Sequence, residues 1–317
     1  MPAPPLMFEE PMLRFRHAAL FAAFCACLAA RAALAAPAGF AFLEIPAGAR
    51  AAALGGAFAS VAQDVDAVFW NPAGLTGVKG VQISGTHAES FQKLRHDQFA
   101  VAGRWWGGGV AGSLRALYSD PIEERDDLGN LIGTFGGHDL EFALAYAHAL
   151  VPGLALGGSA QVLRERIANA GATTYAFGAG GTWEPARLAG VRLAFSGHNL
   201  GPAAHYTDEG VSGQPVALPA AVQAGASYGF AASPGYGVRA ALESRFTRGR
   251  GGIAMLGAEL TTPVGAALRA GVRINDQVSN LSFGIGDQLP GLRVDYAFVP
   301  SRLGLEDTHR LSFSAQF

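Results

Sequence analysis

The closing stretch RLSFSAQF, Arg310 to Phe317, decides the fold. Leu311, Phe313, Ala315 and Phe317 fall on one side of an extended chain, and Arg310, Ser312, Ser314 and Gln316 on the other. Alternation with period two is the mark of a strand with one apolar and one polar face. The pattern recurs upstream: Leu140, Phe142, Leu144 and Tyr146 alternate with Glu141, Ala143 and Ala145. Leu268, Ala270, Val272 and Ile274 alternate with Arg269, Gly271 and Arg273, and Val238, Ala240 and Leu242 with Arg239, Ala241 and Glu243. Each segment runs for about 10 to 14 residues, enough to cross a bilayer when tilted. Strands of a soluble sandwich are nearer 5 or 6 residues.

About fourteen such segments are predicted, an even number that lets a closed barrel keep both chain ends on one side. They begin near Gly80, Asp97, Val110, His138, Leu154, Thr173, Val191, Ala217, Tyr236, Gly251, Ala266, Asn280, Leu292 and Thr308. The connections supply an independent test. Every second one is short and rich in glycine or proline: Gly107-Gly108-Gly109, Val151-Pro152-Gly153, Ala232 to Gly235, Pro263-Val264-Gly265 and Leu289-Pro290-Gly291. The long ones, Pro121 to Gly137 and Pro202 to Val216, fall in the other set. Bacterial outer-membrane barrels sort their connections this way, with short periplasmic turns and longer outer loops. The expected fold class is therefore all-β, a transmembrane up-and-down antiparallel barrel spanning residues 80–317, with outer-membrane lipid around it.

Composition agrees. Of 317 residues 50% are hydrophobic and only 15% charged, against roughly 25% charged in soluble proteins. No run after residue 36 reaches the ~20 apolar residues of a spanning helix, which leaves strands to do any crossing. The net charge of −2 argues against nucleic acid as a partner. Trp105, Trp106, Trp183, Phe230, Tyr236 and Phe317 fall near one set of strand ends, and Tyr118, Tyr175 and Phe246 near the other. Two such girdles mark the interfaces of a membrane barrel.

Residues 1–35 read as a secretory signal, with Arg14, Arg16 and His17 ahead of an apolar core from Ala18 to Ala30 and a cut after Ala35. Met12 is a candidate start, and an uncleaved anchor is the alternative, interrupted by Arg31. Cys25 and Cys27 both lie in the signal, so the mature chain has no thiol for a metal site, a disulfide or a nucleophile. A lipoprotein box at these cysteines would carry Phe24 in place of the usual Leu.

By parity Arg104, Glu141, Arg192, Arg239, Glu243, Glu259, Arg269, Arg273, Arg293, Asp295 and Arg310 point into the barrel. Facing lipid, each would cost about 2–4 kcal/mol at the midplane. Inside, such charges either brace and hydrate the lumen or pair with a plug. Gly, Ala and Ser on the inward faces leave room for one. Residues 36–79 are the candidate for that plug. Ala47 to Ala62 reads as a small-residue helix weakened at Gly55-Gly56. Asp64 precedes the next apolar turn as a possible cap, and Asn71-Pro72 ends helical continuation. The carboxylates of Glu44, Asp64 and Asp66 are expected to meet lumen arginines.

The stretch FLEIPAGARAAALGGAFASVAQDVDAVFWNPAGL, with Gly48-Ala49-Arg50, Leu54-Gly55-Gly56-Ala57, Asp64, Asp66 and Trp70-Asn71-Pro72-Ala73-Gly74, resembles the opening of the PorV/PorQ family of outer-membrane proteins, within the wider FadL-like group. The ending, with Asp295-Tyr296 and Thr308-His309-Arg310, is similar to that family's too. The resemblance implies a fourteen-stranded barrel with a short helical N-terminal hatch. It also implies one of two functions. PorV-like proteins act in type IX protein secretion, receiving secreted cargo or attaching it at the surface. FadL-like proteins let apolar small molecules diffuse across the outer membrane. A structural barrel without a transport role is a third possibility. The C-terminal Leu311, Phe313 and Phe317 look like the signal that the barrel assembly machinery reads.

Enzymatic motifs are weak. Gly107 to Gly112 matches GxGxxG, but another strand follows it where a dinucleotide site needs a helix. The histidines show no zinc spacing. Ser196 and His198 sit two apart on one face with nothing nearby in sequence to orient the imidazole. Glu123 to Asp127 is a charged loop that could bind calcium or simply face solvent. The expectation is a non-enzymatic barrel without cofactor or metal. The secretion role leads and diffusion of apolar solutes is the main rival, a choice that kinks at Gly178, Gly180 and Gly181 would tilt by opening a gap in the wall.

Overall fold

In the computed structural model residues 39–317 are described, except 91–93, 209, 303 and 305. The signal segment and its two cysteines lie outside the described residues.

The strands in chain order are β1 (Gln82–Ser90), β2 (Leu94–Trp105), β3 (Gly108–Tyr118), β4 (Ile122–Arg125), β5 (Leu131–Phe135), β6 (Gly137–Val151), β7 (Leu154–Ile167), β8 (Ala170–Trp183) and β9 (Val191–Leu200). There follow β10 (Ala204–Asp208), β11 (Val211–Val216), β12 (Ala221–Ser233), β13 (Tyr236–Thr247), β14 (Gly251–Thr261), β15 (Ala266–Ile274), β16 (Leu281–Leu289), β17 (Leu292–Val299) and β18 (Thr308–Gln316). Fourteen of them close a single antiparallel barrel, the number the sequence pattern predicts. β1 and β18 pair from Gln82↔Gln316 to Glu89↔His309, and β8 meets β9 on the opposite side. The hairpin β10–β11 continues the sheet only through Thr207↔Gly171, and β4–β5 forms a sheet of its own.

Alternation builds this wall because one face meets apolar surroundings and the other a packed interior. On β6 the burial alternates strictly from Glu141 to Ala147. Phe142 and Leu144 are half exposed on the outside, while Ala143, Ala145 and Ala147 are buried inside. One end of the barrel, the turn end, carries the tight connections. Gly153 (φ 82°) and Gly265 (φ 91°) there adopt the left-handed backbone that glycine enters without a steric penalty. Trp105, Trp106, Trp183, Phe230 and Tyr236 stand exposed around that rim. The opposite, loop end carries both long connections.

Three expectations need correction. The long connections are ordered hairpins, β4–β5 and β10–β11. The strand expected from Ala217 begins at Ala221, because Pro219 cannot donate to a ladder. The small-residue helix is confined to Ala49–Ala53: Gly55 (φ 67°) and Gly56 (φ 84°) turn the chain out of it. From there to Ala67–Trp70 the path is a succession of turns, followed by a 3-10 segment at Pro72–Gly77.

This N-terminal segment fills the lumen. Phe58 and Trp70 meet edge to face at 5.9 Å, and Leu54, Val61, Val65 and Leu75 pack with them against inward alanines such as Ala100, Ala111, Ala145 and Ala241. The roomy lumen implied by small inward residues is thus occupied. A concavity of about 540 Å³ lies outside the barrel, between Tyr228, Ala240, Leu242, Leu256, Ala258 and Val272.

An exposed apolar belt at mid-strand depth predicts the cost of charge there. Leu256→Arg, midway along β14, should destabilise the barrel by about 2–4 kcal/mol in equilibrium refolding into lipid vesicles.

Candidate functional site

The hatch is an irregular chain in a closed space, so its backbone cannot satisfy itself. Its turns close part of the hydrogen bonding within the segment, and inward side chains of the wall take much of the rest. Gln98 Oε1 accepts from Gly48 N at 2.8 Å and Ser312 Oγ from Ala49 N at 2.7 Å. Ser282 Oγ donates to Ala53 O at 3.0 Å, Arg273 Nε to Gly55 O at 2.9 Å and Gln223 Nε2 to Gly56 O at 3.2 Å. The Glu243 carboxylate accepts from Ala59 N at 3.1 Å, Ser60 N at 2.7 Å and Ser60 Oγ at 2.6 Å. Gln82 Oε1 accepts from Val65 N at 3.0 Å, and Arg310 Nη1 donates to Pro46 O at 2.6 Å.

On the turn-end side an ion-pair network ties hatch to wall. Arg50 donates to both oxygens of Glu259, at 2.8 and 2.7 Å, and lies over the Phe58 ring. Glu259 also accepts from Arg269 at 2.6 Å, and Arg269 pairs with Asp295 at 2.8 Å. Arg293 donates to Asp64 Oδ2 at 2.9 Å and Asp295 Oδ2 at 2.9 Å and reaches Asp66 at 3.5 Å. Glu44 pairs with Arg250 near the loop end at 3.0 Å.

The two hatch aspartates differ in environment. Burial raises the Asp64 carboxyl, but Arg293 and Arg50 outweigh it and hold it below the ordinary range. Burial, then the charge of Asp64, pushes Asp66 up to about 6. Asp64 does not cap the short helix after it. Its Oδ1 accepts from Asp66 N at 3.2 Å, an Asx turn, while Asp66 accepts from Ser84 Oγ at 2.8 Å.

The Trp-Asn-Pro-Ala-Gly turn is seated against the far wall. Trp70 Nε1 donates to Ala47 O at 3.0 Å. Asn71 is fully buried; its Nδ2 donates to Ala59 O and Gly181 O, and its Oδ1 accepts from Ala73 N, the residue after Pro72. A Cβ at Gly74 would strike Ala62 O, one at Gly180 the Asn71 side chain, and one at Gly157 the Pro72–Ala73 peptide. Gly180 and Gly181 therefore do not part the wall; they bring β8 close to the hatch and to β7, as Gly178 does to Ser159 of β7. Opposite them, Gly257 and Gly271 let β14 and β15 approach Leu54 and Gly55 just as closely.

The remaining inward charges are more scattered. Glu141 pairs with Arg115, which the sequence reading missed, and accepts from Gln161 Nε2 at 2.8 Å. Arg192 pairs with Glu184. Arg104 faces inward but is exposed at the turn-end rim, donating to Thr76 O at 3.0 Å. Arg239 is half-buried on the same wall.

The wall does have a discontinuity, between β8 and β9, and on the β8 side it begins at Gly178. β8 pairs with β9 from Trp183 up to Phe177↔Leu200, with a bulge at His198–Asn199. Asn199 sits there at φ 56° and donates to Pro219 O at 3.1 Å. Above Phe177 the ladder stops until Thr207↔Gly171. The seam is filled by apolar side chains: Phe40, Phe42 and Leu43 of the hatch pack against Leu163, Ala172, Ala176, Ala204 and Leu218. Sequence reasoning missed these hatch residues, although Pro219 and the run Phe40-Ala41-Phe42-Leu43 were visible signals.

The catalytic candidates fare poorly. Ser196 Oγ and His198 Nε2 are 2.9 Å apart, but Ser196 is fully buried beneath the hatch, out of reach of a substrate. Asp126 is engaged by Leu128 N, Asn130 N and Asn130 Nδ2 in the β4–β5 turn. Among the described residues no group of His, Cys, Asp or Glu is placed to hold a metal ion. Gly107 lies in the β2–β3 turn and Gly108 to Gly112 in β3.

Residues 24–174 match an uncharacterised protein family (UPF0164). No curated protein matches the sequence. Among solved structures the barrel is similar to the monoaromatic hydrocarbon channel CymD, with TM-score 0.58, 14% identity and coverage of 85% of this chain and 97% of that one. It is also similar to the toluene transporter TodX of Pseudomonas putida (0.56, 12%, 80% and 93%). A FadL homologue of Pseudomonas aeruginosa is comparable (0.53, 11%, 90% and 100%). At these identities the likeness is one of fold alone, a closed fourteen-stranded antiparallel barrel.

Two predictions follow from the network. Glu259→Gln leaves Arg50 and Arg269 without their shared carboxylate. Breaking a buried pair costs about 3–5 kcal/mol, so trypsin should cut after Arg50 much faster than in the parent. Stability should also depend on pH through the aspartates. Asp66, raised, binds its proton more tightly when folded, so stability rises as pH falls from 7 through about 6. Asp64, lowered, contributes stability that is lost as pH drops below its ordinary value of 3.8. The thermal midpoint should therefore peak between these values, and Asp66→Asn should flatten the neutral limb alone.

Proposed function

We propose that the chain is an outer-membrane channel through which small apolar molecules diffuse, with the N-terminal hatch as its closure. The turn end would face the periplasm and the loop end the exterior, as the sorting of short and long connections suggests. The observation that carries this reading is the seam between β8 and β9, where strand pairing lapses and the packing of Phe40, Phe42, Leu43 and their partners fills the wall. An apolar solute entering at the loop end meets side chains of its own character there. A small displacement of the hatch exchanges those contacts for contacts with the solute. Non-covalent seating of the hatch suits such a role, as does the description of the fold's relatives CymD and TodX as a hydrocarbon channel and a toluene transporter.

The rival secretion role, implied by the resemblance to PorV/PorQ, draws on one feature. The β4–β5 hairpin stands free of the barrel, with Leu128, Leu131 and Ile132 exposed, as a surface that meets another protein would.

One experiment separates the two. Cells whose uptake of a labelled monoaromatic hydrocarbon is limited by the outer membrane should take it up several-fold faster when they carry this barrel. Ala176→Trp, which overfills the seam, should return uptake to background while the barrel still folds. Uptake indifferent to the barrel, together with loss of surface-attached proteins on removing residues 122–135, would favour the secretion role instead.

A further inference from the structure

The alternation of side chains sorts charge across the wall at the loop end of β6 and β7. Asp139, Glu141 and Glu165 point inward, where Glu141 pairs with Arg115 and Glu165 accepts from Tyr206 Oη at 2.9 Å. Their neighbours His138, Arg164 and Arg166 point outward and are exposed. Register gathers them: His138 stands opposite Arg166, and Arg164 lies between Leu140 and Thr173. The two arginines share one face of β7, about 7 Å apart along the strand. Among the described residues no outward position of β6, β7 or β8 carries Asp or Glu. Arg164 has no hydrogen-bond or ion-pair partner among the described residues, and Arg166 donates from Nε to Ala168 O at 3.2 Å. The next outward arginine, Arg95, is paired with Asp120. On the other side of the barrel, the outward positions near the loop end of β13, β14 and β15 are Ser244, Phe246, Ala254 and Ile274, all uncharged.

This positive face sits at the edge of the apolar belt. The next outward row toward mid-strand is Phe142, Val162 and Tyr175, each about half exposed. A long basic side chain placed there lays its stem on apolar surface and its head in the polar layer above. A ligand that uses both features carries an anionic group joined to an acyl chain. Guanidinium groups match phosphate oxygens in pairs. Without an outward carboxylate nearby, a bridging divalent cation has no oxygen ligand on this face, so phosphate meets arginine directly. Thr173, His138 and Tyr118, which flank the arginines, supply hydroxyl and imidazole groups of the kind that bond sugar hydroxyls. We propose that this face binds a phosphorylated glycolipid of the outer leaflet, with Arg164 and Arg166 on its phosphate and its acyl chains along Phe142, Val162 and Tyr175. The assignment rests on the orientation proposed above, loop end outward, and is independent of what the channel carries.

Native mass spectrometry of the full barrel in detergent, with purified lipid A added, tests it. The parent should carry one lipid A, and dephosphorylated lipid A or phosphatidylglycerol at the same concentration should bind much less. Arg164→Gln and Arg166→Gln should each weaken the adduct about tenfold, the loss expected for a hydrogen bond to a charged group. Arg187→Gln, an exposed arginine at the turn end, should leave it unchanged. Equal adducts with phosphorylated and dephosphorylated lipid, equal adducts with phosphatidylglycerol, or parent-like binding in the double variant would each overturn the proposal. Should the variants not fold, the comparison of lipids on the parent decides alone. A separate measurement checks the orientation: Leu128→Cys at the exposed β4–β5 tip should react with a membrane-impermeant maleimide on intact cells. Failure to label, with the adduct intact, would overturn the orientation and with it the outer-leaflet lipid as occupant. Labelling without a phosphate-dependent adduct would overturn the lipid site and leave the orientation standing.

Discussion

Everything in this barrel answers to one constraint: an irregular backbone lies inside it, shielded from water. A helix or sheet satisfies its own N–H and C=O groups, whereas turns and single extended residues do not. The segment from Gly39 to Gly77 has only nine residues in α-helix, Ala49–Ala53 and Ala67–Trp70. It is stable inside the lumen because inward side chains from nearly every part of the wall reach its peptide groups. Glu243 is the clearest case, a buried carboxylate holding two successive backbone N–H groups and the Ser60 hydroxyl. Hydrogen bonds to an ionised acceptor are shorter and stronger than neutral ones. Such a carboxylate left with no partner would be correspondingly costly.

The same constraint explains the wall's composition. Where the hatch turns, the wall must come close, and glycine is what permits it: Gly157 and Gly180 at the Asn-Pro-Ala turn, Gly257 and Gly271 at Leu54-Gly55. Where the hatch carries charge, the wall returns the opposite charge through Arg293 and Glu259. Where the hatch is apolar, at Phe40, Phe42 and Leu43, the wall interrupts its own ladder and relies on packing. Clamping on one side and apolar packing on the other are what the proposed channel would need in order to yield at the seam while staying anchored near the turn end.

Much of the fold was legible because the alternation rests on chemistry that acts residue by residue: outward leucines and phenylalanines, inward alanines, serines and charges. Strand starts at Leu154, Val191, Tyr236, Gly251, Ala266, Leu292 and Thr308 coincide with the structure. The hatch was less legible. Ala47 to Ala62 has the composition of a helix, but its actual path is set by Gln98, Ser282, Arg273 and Glu243, from strands distant in sequence. The uncharged polar contributors Gln82, Gln98, Gln223, Ser282 and Ser312 were passed over because charge, and not inward parity, guided the choice of residues. The seam depends on a bulge at Asn199, which no local pattern announces.

The central claim is that the hatch is a separable closure, held by side chains, and not merely the static core of the barrel. Amide hydrogen exchange of the lipid-embedded protein tests it most directly. The account predicts that amides of residues 49–62 exchange through a local opening, at a free energy below that of strands β13 to β17 and with little dependence on denaturant. Identical protection and identical denaturant dependence in hatch and wall would mean that the two open only together, and would contradict the account.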